Sequence, residues 1–372
     1  GRLEVLDGIF ENVAEHFETN PRNDPETLAR HADFLTRWAQ ILRPRGRIIE
    51  SIERLRQGYQ KALQATDNNS LPSLEVFRAR ISAGHLLGEA LIEEGGIPEA
   101  RGILNDTTSY AGRFDKEHGR DIQIRTLLAQ ISNKILIADL ETESPEKALE
   151  TSKRSRALWS QVKPLLRGTM STSGNQRSLT NAIRYPYFEA RIFEKLGDPE
   201  SRMRVLQEYL DGAKALRKEA PENLLYHEEA ITAHTRFSEG FLATGLGDSE
   251  KIRIEMSEAD QDALRLAARD PGNIRWANNS VDTACILAKL AEKRHDAEDY
   301  VYWQTLVGDR VFPLYQTFTT DLLYLSAKLV AGIFAVERRI TRDWPWERPH
   351  YEGIIQVQTE IARIRTNPEN II

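Results

Sequence analysis

Leu87-Gly88-Glu89-Ala90-Leu91, then Gly95-Gly96-Ile97-Pro98 and Ala100, is the stretch whose reading decides the fold. Apolar residues flank a glycine on a helical spacing. The Gly-Gly pair ends that helix in a left-handed conformation, and proline is tolerated in the first turn of the next. The phrase is therefore helix, tight turn, helix. Where two helices cross, a bulky side chain holds the axes apart, whereas Gly or Ala lets them approach to roughly 8–10 Å.

The same phrase recurs along the chain. Trp38-Ala39-Gln40-Ile41-Leu42, Ile137-Ala138-Asp139-Leu140, Glu189-Ala190-Arg191-Ile192-Phe193, Glu239-Gly240-Phe241-Leu242 and Leu287-Ala288-Lys289-Leu290 repeat it. The small residues fall at 39, 88, 138, 190, 240 and 288, in steps of 49, 50, 52, 50 and 48. Turn chemistry follows the other segments at Pro44-Arg45-Gly46, Ser144-Pro145, Gly197-Asp198-Pro199 and Gly245-Leu246-Gly247-Asp248-Ser249. The sixth segment has only Arg294-His295-Asp296. Asp or Ser after the turn caps the helix that follows.

These turns place second helices over 47–66, 98–116, 145–166, 199–218, 249–269 and 297–318. In the first of them Ile48, Ile52, Leu55, Tyr59 and Leu63 share one helical face. Ala220-Pro221-Glu222-Asn223-Leu224-Leu225-Tyr226 is echoed by Asp270-Pro271-Gly272-Asn273-Ile274-Arg275-Trp276. Each phrase links a second helix to the next first helix, with an aromatic residue set to pack as that helix begins. Sustained strand alternation is absent. The segment 168–175 reads as a polar loop.

A small residue after an apolar one, with alanine 12 residues on in the next helix, resembles the tetratricopeptide repeat (TPR). Leu87-Gly88, Leu91, Gly96 and Ala100 carry the resemblance best, and Ser51 stands in for that alanine after Ala39. The unit is longer than the family's 34 residues. The resemblance implies an all-α, right-handed α-solenoid of about six to seven antiparallel helix pairs over 1–320. Capping helices are expected over 321–372, where Trp344 and Trp346 beside prolines read either as a cover for the last apolar end or as an exposed docking patch. The Asp270–Trp276 phrase is similar to long, degenerate repeats of bacterial multidomain signalling and defence proteins, in which such arrays follow an effector domain.

Composition sets the functional bounds. Fifty Lys+Arg against 56 Asp+Glu gives −6, without the basic imprint of a nucleic-acid surface. Cys285 stands alone, which removes a disulfide framework and any multi-cysteine metal site and fits a reducing, cytoplasmic setting. No apolar run reaches the ~18–20 residues of a membrane span; the longest, Leu322 to Val336, is interrupted by Ser326 and Lys328. The chain opens without Met and reads as a piece of a longer protein.

Catalytic constellations were sought in vain: no phosphate-cradling loop, no nucleophile elbow, no H-E-x-x-H. His227 and His234 share a helical face but stand about 10 Å apart, too far for one metal. Cys285, between Ala284 and Ile286, reads as a packed thiol. No enzyme, cofactor or metal is expected. The family's geometry puts groove positions six and three residues before the small residue and one after it. That selects Arg184, Tyr187 and Arg191; His234, Phe237 and Phe241; and Asp282, Cys285 and Lys289. Basic and aromatic side chains in neighbouring units suit a peptide with an acidic group and an apolar anchor. Two readings stand: a scaffold or sensor that binds a protein or peptide partner, or a regulatory module controlling an attached or partner effector enzyme.

Overall fold

In the computed structural model, residues 2–19, 22–43, 47–66, 72–118, 121–167 and 173–317 are described. Among them are thirteen α-helices. The helices fall into two compact units that divide between Asp198 and Pro199. The first unit holds α1 (Arg2–Thr19), α2 (Pro25–Leu42), α3 (Ile48–Thr66), α4 (Leu74–Glu93), α5 (Ile97–His118), α6 (Ile122–Thr142), α7 (Pro145–Arg167) and α8 (Ser173–Leu196). The second holds α9 (Pro199–Glu219), α10 (Leu224–Thr244), α11 (Ser249–Arg269), α12 (Ile274–Lys293) and α13 (Ala297–Thr317). The fold is all-α, and each second helix begins within one residue of its expected start. The turn at Pro44-Arg45-Gly46 and the segment 321–372, with Trp344 and Trp346, lie outside the described residues. The expected loop at 168–175 is shorter than its composition suggests, because α8 already begins at Ser173.

Within a unit, consecutive helices pack as antiparallel pairs: α2 with α3, α4 with α5, α6 with α7, α10 with α11 and α12 with α13. Small residues sit where the pairs touch. A Cβ built on Gly88 would lie 2.5 Å from Leu104 Cδ2 and 2.6 Å from its Cγ, and one on Gly84 would lie 2.1 Å from Thr107 Oγ1. Leu104 and Thr107 are completely buried in return. Ala39 meets α3, where the buried Ser51 hydroxyl donates to the Ala39 carbonyl at 2.9 Å. The hydroxyl that replaces a methyl at this crossing thus finds an acceptor. Ala288 packs against Tyr300 of α13.

Gly240 breaks this pattern. Its Cβ would meet Leu206 Cδ1 at 2.4 Å and Met203 Sδ at 3.0 Å, both on α9, the preceding second helix. The α10 residue that faces its own second helix is Ser238, whose Oγ lies 3.5 Å from Met256 Sδ on α11. The step to Ala288 is then 50 residues, and the equivalent small residue is Ser238, two positions before the glycine the spacing selects.

Three of the turns share one geometry. The amides of Gly95, Gly197 and His295 donate to the carbonyls of Ile92, Glu194 and Glu292, and those of Gly96, Asp198 and Asp296 to Leu91, Phe193 and Ala291. This closure needs a left-handed residue. Gly95 has φ +81°, Gly197 has φ +68°, and His295 holds φ +58° without being glycine. Asn223 and Asn273 cap α10 and α12, accepting from the Leu225 and Trp276 amides at 3.1 and 3.3 Å. Tyr226 is completely buried. Trp276 packs on Ile231, Ala263 and Leu266 and donates its indole N–H to Glu228 at 3.1 Å.

Gly88→Ala is expected to lower the unfolding free energy by about 1–3 kcal/mol, since Leu104 has no room to retreat. Gly102→Ala, on an open face of α5 with nothing within 4 Å, is expected to raise it by up to about 1 kcal/mol. Urea denaturation of the two variants reads both signs. His295→Gly relieves a left-handed β-carbon and should stabilise by roughly 0.5–1 kcal/mol in the same assay; a loss would mean that the His295 side chain holds the turn.

Candidate functional site

The two layers of each unit are joined differently. The first helices α2, α4, α6 and α8 lie flank to flank, as do α10 and α12. Neighbouring second helices are linked through long polar side chains. Arg56 reaches Glu99, and the Tyr59 hydroxyl donates to Asp106 at 2.7 Å between α3 and α5. Arg217 pairs with Asp262 at 2.6 Å between α9 and α11, and Arg310 with Asp260 at 2.9 Å between α13 and α11. Close packing on one side and long bridges on the other make the first-helix layer the inner one within each unit.

Along that inner layer, ion pairs run from each first helix to the next at nearly one repeat's spacing. Arg30 pairs with Glu75 at 3.3 Å, Arg43 with Glu93, Lys134 with Glu89, and Arg191 with Glu141 at 2.8 Å. Lys195 donates to the Leu140 carbonyl at the end of α6. Lys293 lies 3.4 Å from the Phe241 and Leu242 carbonyls at the end of α10. A cation of one first helix thus sits at the negative end of its neighbour.

The expected groove residues separate into two sets. Arg184, Tyr187 and Arg191 are half-buried on α8 in the first unit, and Arg191 is held by Glu141. In the second unit Asp282 is half-buried and Lys289 exposed on α12. Cys285 packs at the edge of the cluster formed by Ala277, Val281, Ala284, Val307 and Val311. Burial pushes its thiol pKa up, against Lys289 and Arg310, which lower it.

On α10 the expectation is corrected. His234 is only 6% exposed and Phe241 only 2%, and Phe237 is half-buried. His234 faces the second helices: the Glu255 carboxylate of α11 lies 3.9 Å from its Nδ1. Burial, helped by the Lys214 and Arg217 charges of α9, pulls its pKa down to about 3. Phe241 is covered by the Lys293 ammonium, 4.6 Å from the ring centroid. The accessible row on α10 is Thr232, Arg236, Glu239 and Ala243, with Arg236 and Glu239 paired at 2.7 Å. Counting six back and one forward from Ser238 instead of Gly240 gives the accessible Thr232 and Glu239, whereas three back gives Thr235, which is buried.

The buried polar groups serve the frame. Ser152, Tyr185 and Glu189 form a closed set between α7 and α8, with Ser152 Oγ 2.8 Å from the Tyr185 hydroxyl and 2.7 Å from Glu189, which Arg156 also holds. Ser152 is fully buried, and Tyr185 and Glu189 are nearly so. Asp139 accepts from Thr151 at 2.6 Å and pairs with Arg101 at 3.1 Å. No described helix is long and apolar enough to cross a membrane.

No protein-family model matches the sequence, and no curated protein matches it. Solved structures do. A Rap protein complexed with Competence and Sporulation Factor superposes at TM-score 0.48 and 10% identity, over 95% of this chain and 80% of that one. The nuclear import adaptor Nro1 superposes at 0.48 and 12%, over 87% and 99%. Kinesin light chain TPR-like repeats of Podosopora anserina superpose at 0.41 and 14%, over 66% and 98%. The structural neighbours are TPR-like repeat proteins.

His234 generates a pH prediction. The unfolded chain protonates this histidine near pH 6.5, whereas the folded chain keeps it neutral down to about 3. Its contribution to stability is full above pH 6.5 and is lost as pH falls through that window, by about 1.4 kcal/mol per pH unit. Urea denaturation at stepped pH should therefore show a shallower acid loss for His234→Gln than for the wild type. Parallel profiles would place the histidine in water.

Proposed function

We propose that this chain is a helical-repeat interaction module that receives a protein or peptide partner along the inner faces of its first helices. The observation that carries the reading is the contrast between the two kinds of polar group. Ionisable side chains of the first helices that face neighbouring helices, such as Asp139, Glu189 and Glu229, are buried and held by partners, whereas others on the same helices stay half-exposed in rows. Arg184, Tyr187 and Arg191 form such a row on α8, Thr232, Arg236 and Glu239 on α10, and Asp282 and Lys289 on α12. Surface pairs of this kind contribute only about 0–1 kcal/mol each, so an incoming partner exchanges them at little cost. A partner held by rows of side chains, with no covalent step, is what such a surface accommodates. The tetratricopeptide resemblance of Leu87–Ala100 supports the same reading, and the lone Cys285 fits a partner met inside the cell.

Site-specific photo-crosslinking in the parent cells tests it. A crosslinker at Tyr187, Glu239 or Lys289 is expected to trap a partner, and one at Gln207 or Gln261, exposed on second helices, is not. Adducts confined to the second-helix positions would refute the inner-face assignment.

A further inference from the structure

One face of α8 differs from every other first-helix face. Arg177, Arg184 and Arg191 recur at intervals of seven residues, with Asn181 and Phe188 between them and Lys195 beyond. At 100° per residue these six positions fall within a narrow stripe. All six are exposed or half-buried, while Tyr185 and Glu189 of the same helix turn to Ser152 of α7. Ser173–Leu196 holds four Lys and Arg against two Glu, one of which, Glu189, is turned into the contact with α7, in a chain of net charge −6. Arg191 pairs with Glu141 of α6, and the pair is open to water on both sides, at 34% and 46% side-chain exposure.

We propose that this stripe binds an acidic peptide in an extended, polyproline-type conformation, with an acidic residue at every third position. The inference rests on the reading of the chain as an interaction module and names the partner's chemistry for the first unit. The match is geometric. Seven residues of α-helix rise about 10.5 Å, and three residues of polyproline II rise about 9.3 Å and return to the same side. Three carboxylates of such a peptide therefore meet Arg177, Arg184 and Arg191 in turn. Each guanidinium offers a fork suited to a carboxylate, and Arg191 exchanges Glu141 for the incoming group. The two intervening peptide residues lie over Asn181 and Phe188, which supply an amide and an apolar ring. A nucleic acid fits less well, because Glu141 borders the stripe and the molecule as a whole is acidic.

The test uses the full chain and fluorescence anisotropy of a labelled peptide of about twelve residues, a repeated Glu-Pro-Ala, which favours the polyproline form. The comparators are a block isomer with its glutamates adjacent, the lysine counterpart, and a single-stranded oligothymidylate. The proposal expects the repeat to bind at least about tenfold more tightly than the block isomer, with no binding of the lysine peptide and weakening as salt rises. The double variant Arg177→Glu/Arg184→Glu should lose at least about tenfold, and Arg154→Glu, on the outer face of α7, should not. Thermal melts check that the variants fold, and Arg177→Glu alone serves if the double variant does not. Equal binding of the block isomer, equal binding of the oligothymidylate, or unchanged binding by a folded stripe variant would overturn the assignment. Absence of any peptide binding would overturn it too, while the crosslinking experiment judges the interaction reading separately.

Discussion

The whole arrangement depends on how closely a first helix approaches the helix it crosses. At Gly88 the backbone of α4 lies so near Leu104 that not even a methyl group fits. Leu104 is completely buried as a result, which contributes about 1.5–3 kcal/mol of hydrophobic stabilisation. The same economy of space recurs at Ala39 over α3 and at Ala288 over α13, and it fixes where along each helix the crossing falls. Helices of about twenty residues can then extend on both sides of one tight point. Their apolar faces stay in register because the contact permits no sliding.

Close packing in one layer forces a wider spacing in the other. Buried aromatic residues lie in both layers, Trp38, Phe77 and Tyr226 on first helices and Tyr59, Tyr209 and Tyr300 on second helices. Neighbouring second helices reach one another through Arg310 and Asp260, Arg217 and Asp262, or Tyr59 and Asp106. Asp260 and Asp262 are nearly inaccessible, so removing either arginine would leave a buried carboxylate with only the Thr283 hydroxyl or the exposed Arg265 beside it, which is costlier than the net gain from the pair. These bridges therefore act chiefly as registers. They reject any neighbour that presents the wrong side chain one repeat away.

Much of this was legible in the sequence because it is local. A helix start needs only a turn residue and a cap within a few positions, and the six second helices begin where those signals stand. The His295 turn was less legible because its chemistry lies in backbone hydrogen bonds that glycine usually announces and histidine does not. The phase of α10 misled for a different reason. Both seams of a first helix need small residues, and Gly240 serves the seam with α9 while Ser238 serves the seam with α11. A rule that takes the smallest residue as its reference chooses the wrong seam and turns the helix by more than half a revolution. That is why His234 and Phe241 were expected at a surface and lie in the interior. Long-range partners such as Glu228 with Trp276 were beyond reach, because nothing near either residue in sequence announces the other.

The separation of frame from surface has a consequence for what such a chain can recognise. The tightest positions, Gly84, Gly88 and Gly240, lie on sides of first helices that face another helix, while the exposed rows lie on other sides of those helices. Arg236 and Glu239 are free to change without disturbing Ser238, although they sit on the same turns of α10. Recognition can therefore be rewritten residue by residue while the crossings stay fixed. It also has to come from many modest contacts, since each surface pair contributes little. Specificity on such a surface resides in spacing, in the match between the rise of a helix and the repeat of whatever lies along it. The arginines of α8 show what that demands: three like charges on one face repel one another, and at intervals of about 10.5 Å water and Glu141 screen them.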